Sequence, residues 1–191
     1  MPQISTITIP YMKSTALKYG TLSGLITAAI MLASTLYEKK NGFESTPSIV
    51  GFVGIILVFL PLYLGIKKYR DTDGGGYLTF WKGLNIGVSI IVISGIFYAI
   101  TKLMIFYWIT PDYPDQYSVY IVHQIKLSGK DLADTALAKQ QMVQLKEMTK
   151  NPFIFGAISF TQPLLLELVM TFLCAAILRK KPPTVEITNL N

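Results

Sequence analysis

Four apolar blocks, each near the length needed to cross a lipid bilayer, constrain this chain more than any other feature. They fall at about residues 17–37, 49–66, 83–101 and 153–178, and a helix of roughly 20 residues spans a hydrocarbon core of about 30 Å. In lipid every backbone N–H and C=O must find a partner within its own segment, so blocks of this kind become helices. The fold class expected is all-α: one membrane domain over residues 1–191, an integral membrane four-helix bundle with an extramembrane helical hairpin at about 110–151 between spans 3 and 4. With 51% hydrophobic and 15% charged residues, the chain is more apolar than an ordinary soluble domain.

Between the second and third blocks lies a stretch too polar for lipid, residues 65–83, with Lys67, Lys68, Arg70, Lys82 and the three glycines Gly74 to Gly76. It reads as a tight turn, flexible after Asp73. The glycines lack the following Lys-Ser/Thr and the preceding strand of a phosphate-binding loop. With four spans both ends lie on one side, which collects these cations together with Lys13, Lys18, Arg179, Lys180 and Lys181, against Lys39 and Lys40 in the short loop opposite. The positive-inside bias then places both termini in the cytoplasm. A net charge of +6 gathered beside apolar blocks points to membrane lipids and not to nucleic acid. Lys67, Lys68, Arg70 and Lys82 are the candidate anionic-lipid contact, with Arg70 the member able to grip a phosphate through two parallel bonds.

Helices associate in lipid through close backbone approach at small residues. In span 1, Gly20, Gly24 and Ala28 recur every four residues, flanked by Ser23 and Thr27, and form the expected packing seam. Gly83, Gly87 and Gly95 offer a second such face in span 3. In span 2 Pro61 cannot donate to the carbonyl of Leu57, which predicts a kink unless a neighbour fills the gap. Thr79 is the expected N-cap of span 3. Lys82 and Lys102 would snorkel at its two ends, and Phe106, Tyr107 and Trp108 read as an aromatic belt. Residues 1–12 read as an exposed tail, and the first block as a retained span, not a cleaved signal peptide. In the long polar segment, Tyr117, Ile121 and Ile125 predict one helix ending near Ser128-Gly129, and a second runs from Asp131 to about Thr149.

Little chemistry is on offer. His123 is the only histidine and Cys174 the only cysteine, so no nucleophile and base, no His/Cys metal site and no cofactor site are nominated. Glu167 stands apart. Near the middle of span 4 an ionised carboxylate costs roughly 2.5 to 3.5 kcal/mol on insertion scales. Thr171 lies one turn on, Pro163 one turn back frees the carbonyl of Ser159, and Gln162 and Thr161 add polar groups nearby. Gln162, Glu167 and Thr171 are therefore the candidate intramembrane polar site. They read either as a proton or cation site or as a neutral carboxylic acid hydrogen-bonded across helices.

The segment Gly65-Ile66-Lys67-Lys68-Tyr69-Arg70-Asp71, followed by the glycines and by Thr79-Phe80-Trp81-Lys82-Gly83, resembles the signature of the bacterial domain of unknown function 4199 family. Leu17-Lys18-Tyr19-Gly20, Lys150-Asn151-Pro152 and the run from Ala175 to Lys181 are similar to it as well. Where that pattern often has an acidic residue before the last-span proline, this chain has Gln162. The resemblance implies a small multi-span membrane protein of a bacterial inner membrane, with no established activity. Two function classes follow: a non-enzymatic bundle acting through lipids, an unidentified membrane partner or a second copy of itself, and a small transporter or proton-coupled channel subunit working through Glu167.

Overall fold

The apolar blocks fold into helices, and the first three helices run several residues past their blocks. The structure is a computed structural model that describes residues 8–42, 48–127 and 132–181. The helices are α1 (Thr8–Asn41), α2 (Ser48–Asp71), α3 (Phe80–Met104), α4 (Tyr113–Leu127), α5 (Leu132–Thr149) and α6 (Pro152–Leu178). The tail expected over residues 1–12 is partly wrong, since α1 starts at Thr8. Pro10 falls in its first turn, where the missing N–H has no intrahelical partner in any case.

Among the described residues, three stretches, Met12–Asn41, Phe80–Ile109 and Pro152–Leu178, are long and apolar enough to cross a membrane. Their outward faces are apolar, with Leu25, Ile100 and Leu165 exposed. Such surfaces suit lipid and not water. No strand is formed among the described residues, apart from one antiparallel bridge between Leu78 and Lys180.

Close glycine contacts set the register of the bundle. A Cβ on Gly20 would lie 2.8 Å from Ile93 Cβ, and one on Gly24 would lie 2.6 Å from Phe97 Cγ, so α1 and α3 run parallel at near-backbone contact. Ala28, one turn beyond, is half-buried. The second glycine face of α3 meets α6 with the chain reversed: Gly83 faces Ala175, Gly87 faces Thr171 and Gly95 faces Phe160. Gly54 faces Ile30 while Gly65 faces Tyr19, which makes α2 antiparallel to α1. Ser23 Oγ donates to the Val58 carbonyl at 3.0 Å, in the turn that Pro61 loosens.

Two clusters of buried side chains form, one near each end. At the end holding the start of α3, Ala16, Leu62, Ile66, Tyr69, Leu78 and Leu178 pack together. At the other end Ile105, Phe106 and Phe155 pack with Met31, Leu32 and Tyr113. Beyond α3 a π-helical turn, Ile105–Ile109, swings Phe106 inward onto Phe155, with ring centroids 4.6 Å apart. Of the three residues expected as an aromatic belt, Tyr107 and Trp108 stay exposed while Phe106 is core.

The polar segment forms the helical hairpin that its composition predicts, α4 and α5, joined by an ion pair between Lys146 and Asp115. The expected stop at Ser128-Gly129 lies outside the described residues. Tyr107 Oη donates to the carbonyl of Thr149, which ties the end of α5 to the π turn. Asn151 caps α6, its side chain accepting from the N–H groups of Phe153 and Ile154 at 3.0 and 3.3 Å.

Candidate functional site

The turn after α2 is a closed structure. The N–H groups of Asp73 and Gly74 both donate to the Tyr69 carbonyl, and that of Gly76 donates to Arg70. Gly75 and Gly76 have φ of 59° and 85°, a left-handed backbone that glycine adopts without strain. The loose turn expected after Asp73 is thus replaced by an ordered one, held down because Tyr69 and Leu78 are buried beneath it.

From this turn the chain reaches across to α6. Leu78 N–H donates to the Lys180 carbonyl and Lys180 N–H to the Leu78 carbonyl, each at 2.9 Å. That reciprocal pair draws the basic end of α6 against the basic turn. Thr79 caps α3, accepting from Lys82 N–H at 3.4 Å. Beside it lies a hollow of about 300 Å³ lined by Thr79, Phe80, Trp81, Arg179 and Lys181. Lys67, Lys68 and Lys82 are exposed at the same end, and none of them carries an ion pair among the described residues. Arg70 does: its Nε donates to Asp71 at 2.6 Å. This bond, with the positive charges of Arg70, Lys67 and Lys180, holds the Asp71 carboxyl below its usual range. The arginine singled out as the phosphate grip therefore has one nitrogen already engaged, and Arg179 and Lys181 stand nearer the hollow.

A second polar feature sits in the middle of the bundle. Glu167 is 7% exposed, and its Oε2 accepts from Ser94 Oγ of α3 at 3.2 Å. Thr171 Oγ1 donates back to the Glu167 carbonyl at 2.8 Å, and its methyl lies where Gly87 leaves room. Gln162 is not part of this cluster. Five residues before Glu167, it turns to another face, is exposed, and accepts from Tyr98 Oη at 3.4 Å. Ser159, whose carbonyl loses its helical donor to Pro163, has a buried hydroxyl with no partner among the described residues.

Glu167 lies on the wall of a cleft of about 330 Å³ that takes residues from α1, α2, α3 and α6. Its floor and walls are mainly apolar, with Ile30, Val58 and Phe59 prominent, and the exposed Ile55 and Leu166 mark its lateral mouth. An adjoining cleft of about 280 Å³ shares Glu38 and Tyr98 with it and adds Lys102. The ammonium of Lys102 lies 5.7 Å from the Tyr98 ring and 5.8 Å from the Phe106 ring. Sequence reasoning missed Ser94, Tyr98 and Glu38; a serine four residues before a tyrosine inside an apolar span was the available signal for the first two.

A family model described as protein of unknown function (DUF4199) matches residues 18–180, most of the chain. The chain belongs to this family. The match takes in the basic turn, the Leu78–Lys180 bridge and the Glu167 cluster, so both features lie inside the family's own extent. No curated protein and no solved structure matches the chain.

Proposed function

We propose that this protein is a non-enzymatic, four-span protein of a bacterial inner membrane whose basic cytoplasmic end engages anionic lipid head groups. The observation that carries this reading is the reciprocal Leu78–Lys180 backbone pair, because it brings the Arg179–Lys181 end of α6 against the turn that carries Lys67, Lys68 and Lys82. Lys67, Lys68, Lys82, Arg179, Lys180 and Lys181 then act together, each contributing about 1 kcal/mol near an anionic leaflet and falling off within a Debye length.

α2 serves as the fourth span in this reading. Residues 49–66 hold no charge, and the helix follows α1 antiparallel from Gly54 beside Ile30 to Gly65 beside Tyr19. Trp81, in the first turn of α3, and Trp108, in the π turn that follows it, are both strongly exposed and stand 27 residues apart. At 1.5 Å per residue that is about 40 Å, the distance between the two head-group regions. Both termini then lie with the basic end in the cytoplasm, and the hairpin of α4 and α5 lies outside.

The test is thermal stability in an uncharged mild detergent with added phosphatidylglycerol or phosphatidylcholine. Phosphatidylglycerol should raise the Tm and phosphatidylcholine should not. Replacing Lys67, Lys68 and Lys82 with Gln should remove about 3 kcal/mol of attraction, roughly two orders of magnitude in affinity. Equal responses to both lipids in the wild-type protein would sink the reading.

A further inference from the structure

Independently of the head-group reading, we infer that the cleft beside Glu167 is a binding site for a hydrophobic organic cation that enters sideways from the lipid. Its volume of about 330 Å³ falls at the small end of ordinary ligand sites, roughly 300–1,000 Å³. The walls decide the chemistry. Most are apolar, so the occupant has to be hydrophobic, and Ile55 and Leu166 place the mouth on the lipid-facing side of the bundle.

The sign of its charge follows from the ionisable groups on the wall. Those are Glu38 and Glu167, with the phenol of Tyr98, and no lysine, arginine or histidine lines the cleft among the described residues. Lys102 is confined to the adjoining cleft, which Glu38 also faces, and is held over the rings of Tyr98 and Phe106. Among the described residues a cation thus lies at the Glu38 end, and none lies at the Glu167 end. Glu167 has one side-chain donor among the described residues, Ser94 on Oε2, and that hydroxyl is shared with the Ile91 carbonyl at 3.1 Å. In surroundings this apolar, attraction between a carboxylate and a cation is weakly screened. Phe59 adds an aromatic face of the kind organic cations settle against.

The probe is tetraphenylphosphonium, measured by equilibrium dialysis against the full-length protein in an uncharged detergent. Saturable binding is expected, with Glu167→Gln weakening it at least tenfold. Gln keeps an oxygen for the Ser94 hydroxyl, so an unchanged Tm should accompany that loss. Gly54→Leu gives a second reading that leaves Glu167 in place. A Cβ at Gly54 meets Ile30 only at 3.5 Å, ordinary contact, so the new side chain fills the cleft without forcing helices apart and should reduce binding by a similar factor. Tetraphenylborate, of the same shape and opposite charge, should not compete. Absence of saturable binding to the wild-type protein, equal binding by Glu167→Gln, or competition by tetraphenylborate would each overturn the assignment. Because none of these variants touches the basic end, the phosphatidylglycerol response should persist in all of them.

Discussion

Gly24→Leu is expected to destabilise the detergent-purified protein by about 1–3 kcal/mol or more, the range for forcing bulk into a packed interface. A Cβ at this position would already lie 2.6–2.7 Å from three carbons of Phe97, and leucine adds three further carbons to that contact. Phe97 cannot simply swing aside as a flexible chain end would, because its own Cβ is among the atoms met. The helices must separate, and with little hydrophobic drive between helices in lipid, the lost van der Waals contact is not recovered elsewhere. Leu25→Ala, at the neighbouring residue, is the control: Leu25 is 54% exposed on the lipid side, and its truncation should leave the melting temperature nearly unchanged. Equal effects of the two substitutions would remove the α1–α3 contact from the account.

Leu78→Ala should cost about 2–5 kcal/mol, as for other leucines deleted from tightly packed sites. Leu78 is 1% exposed and belongs to the cluster formed with Ile66, Tyr69 and Leu178, at the end of the bundle that meets water. Its side chain fixes the segment whose backbone pairs with Lys180, so the substitution loosens that pairing while leaving every charge in place. The Tm rise with phosphatidylglycerol should therefore shrink although net charge is unchanged. A full response in a destabilised Leu78→Ala protein would mean that charge alone, without the geometry of the turn, accounts for the lipid effect.

The helices were legible because apolar length and small-residue spacing act locally. Gly20 and Gly24 carry their message in their own sequence spacing, and the structure places both against α3. The Lys180 contact was not legible in that way. A two-residue bridge between segments about a hundred positions apart leaves no periodicity, and the buried Tyr69 looks in sequence like any interfacial aromatic. The order of the glycine turn was missed for the same reason, since its hydrogen bonds depend on what lies beneath it. For the intramembrane site the acid was plain and its surroundings were not. Glu167 announces itself by its cost in lipid, whereas Ser94 is unremarkable in an apolar span until α6 is laid antiparallel on α3. Gln162 stands near Glu167 along the chain, but a separation of five residues turns it to a different face of the helix.

The central claim, four spans with the basic end in the cytoplasm, is tested most directly by labelling single cysteines in intact cells in a Cys174→Ala background. Asn41→Cys, at the end of α1, and Gln140→Cys, on an exposed position of α5, should react with a membrane-impermeant maleimide added outside. Asp73→Cys, in the basic turn, and Lys181→Cys, past the end of α6, should react only after the membrane is opened. Labelling of Asp73→Cys from outside would contradict the orientation, and the same response from Asn41→Cys and Asp73→Cys would contradict α2 as a span.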